Sequence, residues 1–329
     1  MTNDYPARLR LPGLRSATDR TNSAADPYHR LTMLAIAVLG PTELRRDGER
    51  IPVPSGKTTE VLIRLALDAG AVVRADRLIE DLWGAEADAT ERNTLQAKVS
   101  LLRRALGDAT VLSGGRAGYT LGVDPSAVDA LEVLRVADAT KALLEAGEAR
   151  SALAQSLRAL TLFRGEILCD AGDRDWLIPY RVRLDEVRLG LVEVKLAARM
   201  ELGAAGEVIG ELEALVVLHP LRERLWTLLI TALYRDGRQA DALGAYRRVR
   251  DQLAAELGLD PAAELQALEQ RVLLRDRALD APRPDTPKHQ SSKSEPPAAL
   301  GNLPALSSRL VGRGADLLEL SELLIDHPW

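Results

Sequence analysis

The sequence has one cysteine, Cys169, one phenylalanine and four histidines in 329 residues. A single thiol excludes an internal disulfide framework and any cysteine-based zinc site. The scattered histidines have no spacing that suits a metal. Aromatic residues make up only 3% of the chain, whereas apolar residues reach 46%. Sizeable cores must therefore be built from Leu, Ala and Val, and this composition favours helices. Long apolar runs are missing too. The first, Leu31 to Leu39, is too short to cross a bilayer and lacks a signal-peptide layout. A cytoplasmic protein with no membrane partner is expected, with roughly two or three domains for this length.

Catalytic and metal motifs are equally scarce. No Ser-His-Asp or Cys-His arrangement is evident, so no enzyme is expected. His219 precedes Pro220 at a helix boundary and reads as structural. Glu166, Asp170, Asp173 and Asp175 form an acidic cluster, but no glutamate closes an EF-hand loop. A solvated helix connection is the expectation there. Ser55-Gly56-Lys57-Thr58-Thr59 looks like the end of a phosphate-binding loop. Ile51, however, stands where the first glycine is required, and Pro52 and Pro54 remove N–H donors. The segment reads instead as a helix start capped by Ser55. Lys57, at that helix N-terminus, is within reach of a DNA phosphate.

Net charge is −5, which at first argues against a nucleic-acid partner. Its distribution reverses that reading. Arg92, Lys98, Arg103, Arg104 and Arg116 are opposed, between Arg92 and Arg116, by Asp108 alone. A local basic stripe attracts phosphate whatever the sign of the whole chain.

Residues 1–33 mix Arg, Asp, Pro, Ser and Thr without periodicity and read as a disordered leader, with Met33 a candidate start. An extended pattern follows from Leu34, with Asp47-Gly48 as a hairpin turn signal. Three helices are predicted, at Thr58–Ala69, Arg74–Trp83 and Glu91–Leu106, each followed by glycine. Val111 to Val123, with Gly114-Gly115, predicts a β-hairpin. Strands, three helices and a hairpin over 34–123 make the plan of a winged helix-turn-helix. Residues 124–279 are almost wholly helical. Gly147, Gly203 and Gly237 are followed at the same offset by Ala152-Leu153, Val208-Ile209 and Ala242-Leu243, the pattern of tetratricopeptide helix pairs. In the best-fitting repeat, Leu225, Leu228, Leu229 and Leu233 bury one face while Trp226 and Tyr234 anchor contacts. Residues 280–302 are rich in Pro, Ser and Lys and read as a linker. Residues 303–329 resume a helical pattern. The fold class is thus mainly α with a small β component: a winged helix followed by an all-α, tetratricopeptide-like domain.

The third helix carries the functional argument. With Leu95, Val99, Leu102 and Leu106 inward, Thr90, Asn93, Thr94, Ala97, Leu101 and Arg104 face outward, flanked by Lys98 and Ser100. Asn pairs bidentately with adenine, and Ala or Leu contacts a thymine methyl. Lys98 with Arg103 or Arg104 can hold phosphates. Arg116, at the hairpin tip, could enter a minor groove. An ordinary solvated helix face and a solvated loop arginine are the plainer readings.

With these residues in hand, the chain resembles the Streptomyces antibiotic regulatory protein (SARP) family of AfsR/EmbR-like transcription activators. Residues 35–123 are similar to the OmpR/PhoB-type DNA-binding domain through Leu39-Gly40-Pro41, Leu82-Trp83-Gly84, the run from Val99 to Gly107, and Gly118-Tyr119-x-Leu121. Residues 124–279 resemble the bacterial transcriptional activation domain through Leu162-Phe163-Arg164-Gly165, Trp176, the runs His219 to Trp226 and Ala232 to Ala240, and Glu256 to Pro261. Residues 303–329, with Leu310 to Gly314, resemble the opening of an NB-ARC-type nucleotide-binding module. Its phosphate loop would fall beyond Trp329, so no cofactor is expected within this sequence; ATP or GTP would require such a domain to continue. The resemblance implies DNA-facing roles for Asn93, Thr94, Ala97, Lys98, Ser100 and Leu101, with Trp83 and Tyr119 near phosphate-contact positions. Two departures stand out. Leu101 occupies a position where arginine is common, and Arg116 lies one place off the usual wing arginine. The resemblance further implies two protomers on direct repeats near a promoter −35 element, contact with RNA polymerase holoenzyme, and control of antibiotic biosynthesis. The alternative is a tetratricopeptide-type adaptor without DNA binding. An adaptor would have no use for Lys98 and Arg104 beside Asn93 and Thr94.

Overall fold

The computed structural model describes residues 34–86, 89–108 and 110–280. The leader at 1–33, all of the linker but its first residue, and the segment at 303–329 lie outside the described residues.

The chain opens with β1 (Leu34–Ala37), β2 (Glu43–Arg46) and β3 (Glu49–Ile51), an antiparallel sheet in that order. Asp47 and Gly48 turn β2 into β3 with φ of 52° and 86°, the two positive values that a tight hairpin needs. Three helices follow: α1 (Lys57–Ala66), α2 (Ala75–Trp83) and α3 (Ala89–Leu106). A second antiparallel sheet has the order β4-β6-β5, from β4 (Val72–Arg74), β5 (Leu112–Gly115) and β6 (Gly118–Leu121). Leu62, Leu65, Leu78, Leu82, Leu95 and Leu102 of the three helices and Leu121 of β6 are buried together in one core.

Two local expectations are corrected. Gly56, not Ser55, caps α1, and no side chain caps that end; the hydroxyl of Thr59 turns back to the carbonyl of Pro54. Arg74, the expected start of the second helix, instead ends β4 (Val72–Arg74), which pairs with β6. Three residues are too few to show a period of two, and pairing with β6 across the intervening chain decides their conformation.

Helices α4 (Asp129–Glu145), α5 (Ala149–Leu160), α6 (Ile178–Glu201), α7 (Ala205–Leu218), α8 (Glu223–Arg235), α9 (Gln239–Leu257) and α10 (Ala263–Leu273) complete the fold. The repeat read from sequence is a repeat of structure. Gly147, Gly203 and Gly237 turn α4 into α5, α6 into α7 and α8 into α9 with φ of 80°, 91° and 80°. Each glycine N–H donates three residues back, and the next N–H donates five back, to Leu143, Arg199 and Leu233 respectively. This is the Schellman closure, which a residue with a Cβ adopts only under strain. Ala152, Val208 and Ala242, each five residues on, are fully buried where the paired helices approach.

The core does not stop at the boundary drawn near residue 123. Val128, Ala130, Val133, Ile167, Leu168, Trp176, Leu177 and Leu184 join the same buried cluster as the winged-helix leucines. Polar ties reinforce the join. The carboxylate of Asp129 accepts from the N–H groups of Val38 at 2.8 Å and Leu39 at 3.0 Å. The N–H of Arg164 donates to the carbonyl of Leu39 at 2.7 Å, and its guanidinium lies 2.9 Å from Glu43 on β2. Leu189, Leu196, Leu212, Leu225, Trp226, Leu229 and Val249 belong to a second core that runs through the later helices.

Candidate nucleic-acid interface

Helix α3 presents one seated face and one open face. Leu95, Val99, Leu102 and Leu106 are all at most 1% exposed, and they lock the helix against α1 and α2. The opposite side leaves Asn93, Ala97, Ser100, Leu101 and Arg104 exposed, with Thr94 and Lys98 half-buried at its margin. Leu101 is 41% exposed, an apolar side chain left in water on a polar face. Gln96 is exposed as well and joins Asn93 and Ser100 at spacings of three and four. Helical spacing from the buried leucines does not by itself single out Gln96. Its amide was the signal that could have found it, since glutamine offers the same bidentate pairing to adenine as asparagine.

The C-terminal end of α3 is fixed from the first sheet. Arg46 on β2 donates to the carbonyls of Ala105, at 3.3 Å, and Leu106. The helix therefore cannot slide along its axis without breaking a charge-assisted bond to its last turn.

The basic residues divide into two sets. Lys98, Arg104 and Arg116 have no ion pair or side-chain hydrogen bond among the described residues. Lys98 and Arg104 lie on α3, and Arg116 is exposed in the turn joining β5 to β6. The other set is occupied. Arg92 pairs with Asp76 at 2.7 Å. Arg103 points back to the hairpin, with Nε 2.8 Å from the carbonyl of Leu112 and a terminal nitrogen 2.9 Å from that of Gly114. Lys57 donates to Glu60 at 2.6 Å and to the carbonyl of Leu82 at 2.7 Å. Its ammonium also lies 5.7 Å from the centre of the half-buried Trp83 ring, so these two sequence candidates form one internal cluster. Tyr119 is only 3% exposed, and burial pushes its phenol above the usual tyrosine range despite the nearby Arg103 charge. The structure thus brings Asn93, Thr94, Ala97, Lys98, Ser100, Leu101 and Arg104 onto one helix face and Arg116 onto the hairpin turn. Lys57, Trp83, Arg103 and Tyr119 have intramolecular contacts of their own.

Beyond α3, no group of three or more acidic, histidine or cysteine side chains among the described residues could hold a metal. Two members of the acidic cluster after Gly165 have partners: Asp170 accepts the N–H of Thr42 at 2.6 Å, and Asp173 pairs with Arg181 at 3.2 Å. No helix among the described residues is long and apolar enough to cross a membrane.

Comparison with known proteins identifies the family and the fold. Residues 49–121 match the C-terminal domain of transcriptional regulatory proteins, and residues 128–273 match the bacterial transcriptional activator domain. The regulatory protein DnrI of Streptomyces peucetius is 35% identical over 264 residues, covering 77% of this chain and 97% of DnrI. The chain belongs to the Streptomyces antibiotic regulatory protein family. A larger SARP relative, the regulatory protein AfsR of Streptomyces coelicolor, is 38% identical over 296 residues, which span 88% of this chain but only 29% of AfsR. Among solved structures, Mycobacterium tuberculosis EmbR in complex with a low affinity phosphopeptide superposes with a TM-score of 0.69 at 35% identity. The match covers 77% of this SARP chain and 67% of that one. A small winged-helix region followed by an all-helical domain is therefore the fold.

Proposed function

We propose that this chain is a sequence-specific DNA-binding transcription activator that lays α3 in the major groove of promoter DNA. The observation that carries the reading is the open face of α3. It offers Asn93, Thr94, Ala97, Ser100 and Leu101 for base edges, next to Lys98 and Arg104, which have no protein partner among the described residues. Amides and small or apolar side chains read bases, and unpaired cations hold phosphates. Arg116 extends the contact to the adjacent groove. Arg103 acts from behind this face by tying α3 to the hairpin, and Lys57 with Trp83 joins α1 to α2.

In this account two protomers sit side by side on direct repeats near a −35 element, and the helical domain meets RNA polymerase holoenzyme. The regulated genes belong to antibiotic or other secondary metabolism, in keeping with the family. The protein works in the cytoplasm at the nucleoid, performs no catalytic step and needs no cofactor within these residues. Selection of bound fragments from genomic DNA, followed by gel-shift titration, tests the reading. Enrichment of a repeated motif upstream of promoters supports it. Uniform recovery of all fragments would refute sequence-specific binding.

A further inference from the structure

Strand β5 is the outer edge of the second sheet, because the strand order is β4-β6-β5. Its sequence, Leu-Ser-Gly-Gly, leaves little to hold it. Leu112 is buried, but Ser113, Gly114 and Gly115 are exposed, and two of these have no side chain to pack. Gly114 is also irreplaceable in place: its φ is +107°, and a Cβ there would lie 2.2 Å from the carbonyl oxygen of Gly118. The strand therefore runs pressed against β6, with no side chain beyond Leu112 to anchor it and one row of its backbone groups unpaired by strand.

Arg103 occupies that open edge. Its Nε donates to the carbonyl of Leu112 at 2.8 Å and a terminal nitrogen donates to that of Gly114 at 2.9 Å. Residues i and i+2 of a strand direct their carbonyls to the same edge, so the fork of one guanidinium stands in for a missing neighbouring strand. The same arginine sits on α3, one residue before the unpaired Arg104 and a turn after Val99 in the core.

We infer that Arg103 is a positioning residue that ties the wing to the recognition helix and so fixes where Arg116 lies relative to the bases read by α3. It does not itself contact phosphate. This rests on the proposed DNA-binding function, but the brace is a property of the free protein.

Arg103→Lys separates the two roles. Lysine keeps the positive charge a phosphate contact needs, yet its single ammonium cannot reproduce the planar fork across two carbonyls. Hydrogen exchange on the full chain without DNA should show the β5–β6 amides losing about tenfold protection in Arg103→Lys, and at least as much in Arg103→Ala, since charge-assisted bonds of this kind carry that weight. α3 amides should keep theirs. In gel shifts with the selected fragment, Arg103→Lys should weaken binding about as much as Arg103→Ala, with no change in salt slope. The loss should shrink severalfold when Arg116 is already alanine, because the two residues act through one element. Unchanged wing protection in both variants overturns the brace whether or not DNA binds. Wild-type affinity in Arg103→Lys, with a slope lower by about one unit in Arg103→Ala, overturns it in favour of a phosphate contact. Failure of the wild type to bind any duplex would count against the function and leave the exchange result to decide the brace.

Discussion

The guanidinium of Arg64 lies 5.5 Å from the centre of the Trp176 ring, and the two residues come from opposite sides of the boundary near Val123. Arg64 is on α1, whereas Trp176 is in the one-turn 3-10 helix just before α6. Nε of Arg64 donates to Asp81 of α2 at 2.6 Å, and both side chains are at least nine-tenths buried. A charge taken this far from water persists only when paired; Asp81 has a second partner in Arg77 at 3.0 Å, so removing Arg64 costs its own bond and ring contacts without leaving the carboxylate unpaired. Arg64→Ala should destabilise the protein by about 1.5–3 kcal/mol in urea unfolding followed by tryptophan fluorescence. A loss under about 1 kcal/mol, the ordinary worth of an exposed pair, would show that this cluster does not join the two parts.

A related expectation concerns cutting the chain. Sequence periodicity gives residues 34–123 the look of a free-standing domain that would survive a cut after Val123. The structure leads to the opposite expectation. The cut removes Val128, Val133, Ile167, Leu168 and Leu177 from the shared core and strips the amides of Val38 and Leu39 of their acceptor, Asp129. The fragment should lack cooperative thermal unfolding and exchange its amides rapidly. A sharp two-state transition in the isolated fragment would contradict the shared core.

Asp129 gives the join a pH dependence. Burial pushes its carboxyl above the usual aspartate range, against the opposing pull of the N–H groups of Val38 and Leu39, the Arg164 charge and the Ala130 N–H. A raised folded value means the native state holds this proton more tightly than the unfolded chain. The group's contribution is then greatest below its unfolded value, about 3.9, and is lost as pH rises through the folded value. The stability difference between wild type and Asp129→Asn, whose amide does not titrate, should therefore fall as pH is raised from the acid side. At neutral pH the variant should still be the weaker by about 1–3 kcal/mol, because its NH₂ cannot accept from a main-chain N–H. Urea titrations at a series of pH values would measure this, and a difference that grows with pH would contradict it.

In the second core, Trp226 is 5% exposed, and its indole donates to the carbonyl of Pro220 at 2.8 Å. Arg248 lies over the ring at 5.2 Å and pairs with Glu213 of α7. Trp226→Ala should destabilise by about 3–5 kcal/mol in thermal unfolding, through the cavity it opens between α8 and its neighbours. A change below about 1 kcal/mol would mean the ring is not a packing anchor.

The sequence revealed what depends on spacing and on backbone conformation. Leu95, Val99, Leu102 and Leu106 read as the buried stripe of α3, and Gly147, Gly203 and Gly237 read as equivalent turns, because helical period and positive φ leave marks in residue type. The contacts that decide the candidate site left no such mark. Arg103 bonds to carbonyls, which every residue has, so helical spacing, which put Arg104 on the outward face, left Arg103 only as an alternative phosphate contact. Asp129 meets Val38 across 91 positions, and only the folded chain puts a buried carboxylate beside two strand-end amides. Lys57 and Trp83 likewise read as separate surface candidates until α1 and α2 are packed together.

The central claim is that the open face of α3 binds duplex DNA through Lys98 and Arg104, and the most direct test is salt-dependent binding of the full chain with both changed to alanine. The wild type should bind its selected fragment with a steep dependence of log affinity on log salt. Lys98→Ala/Arg104→Ala should fold normally, since neither side chain has a protein partner among the described residues. It should lose affinity for every sequence, with a slope lower by about two units, one for each phosphate contact. A folded double variant that keeps both the affinity and the slope of the wild type would contradict the account.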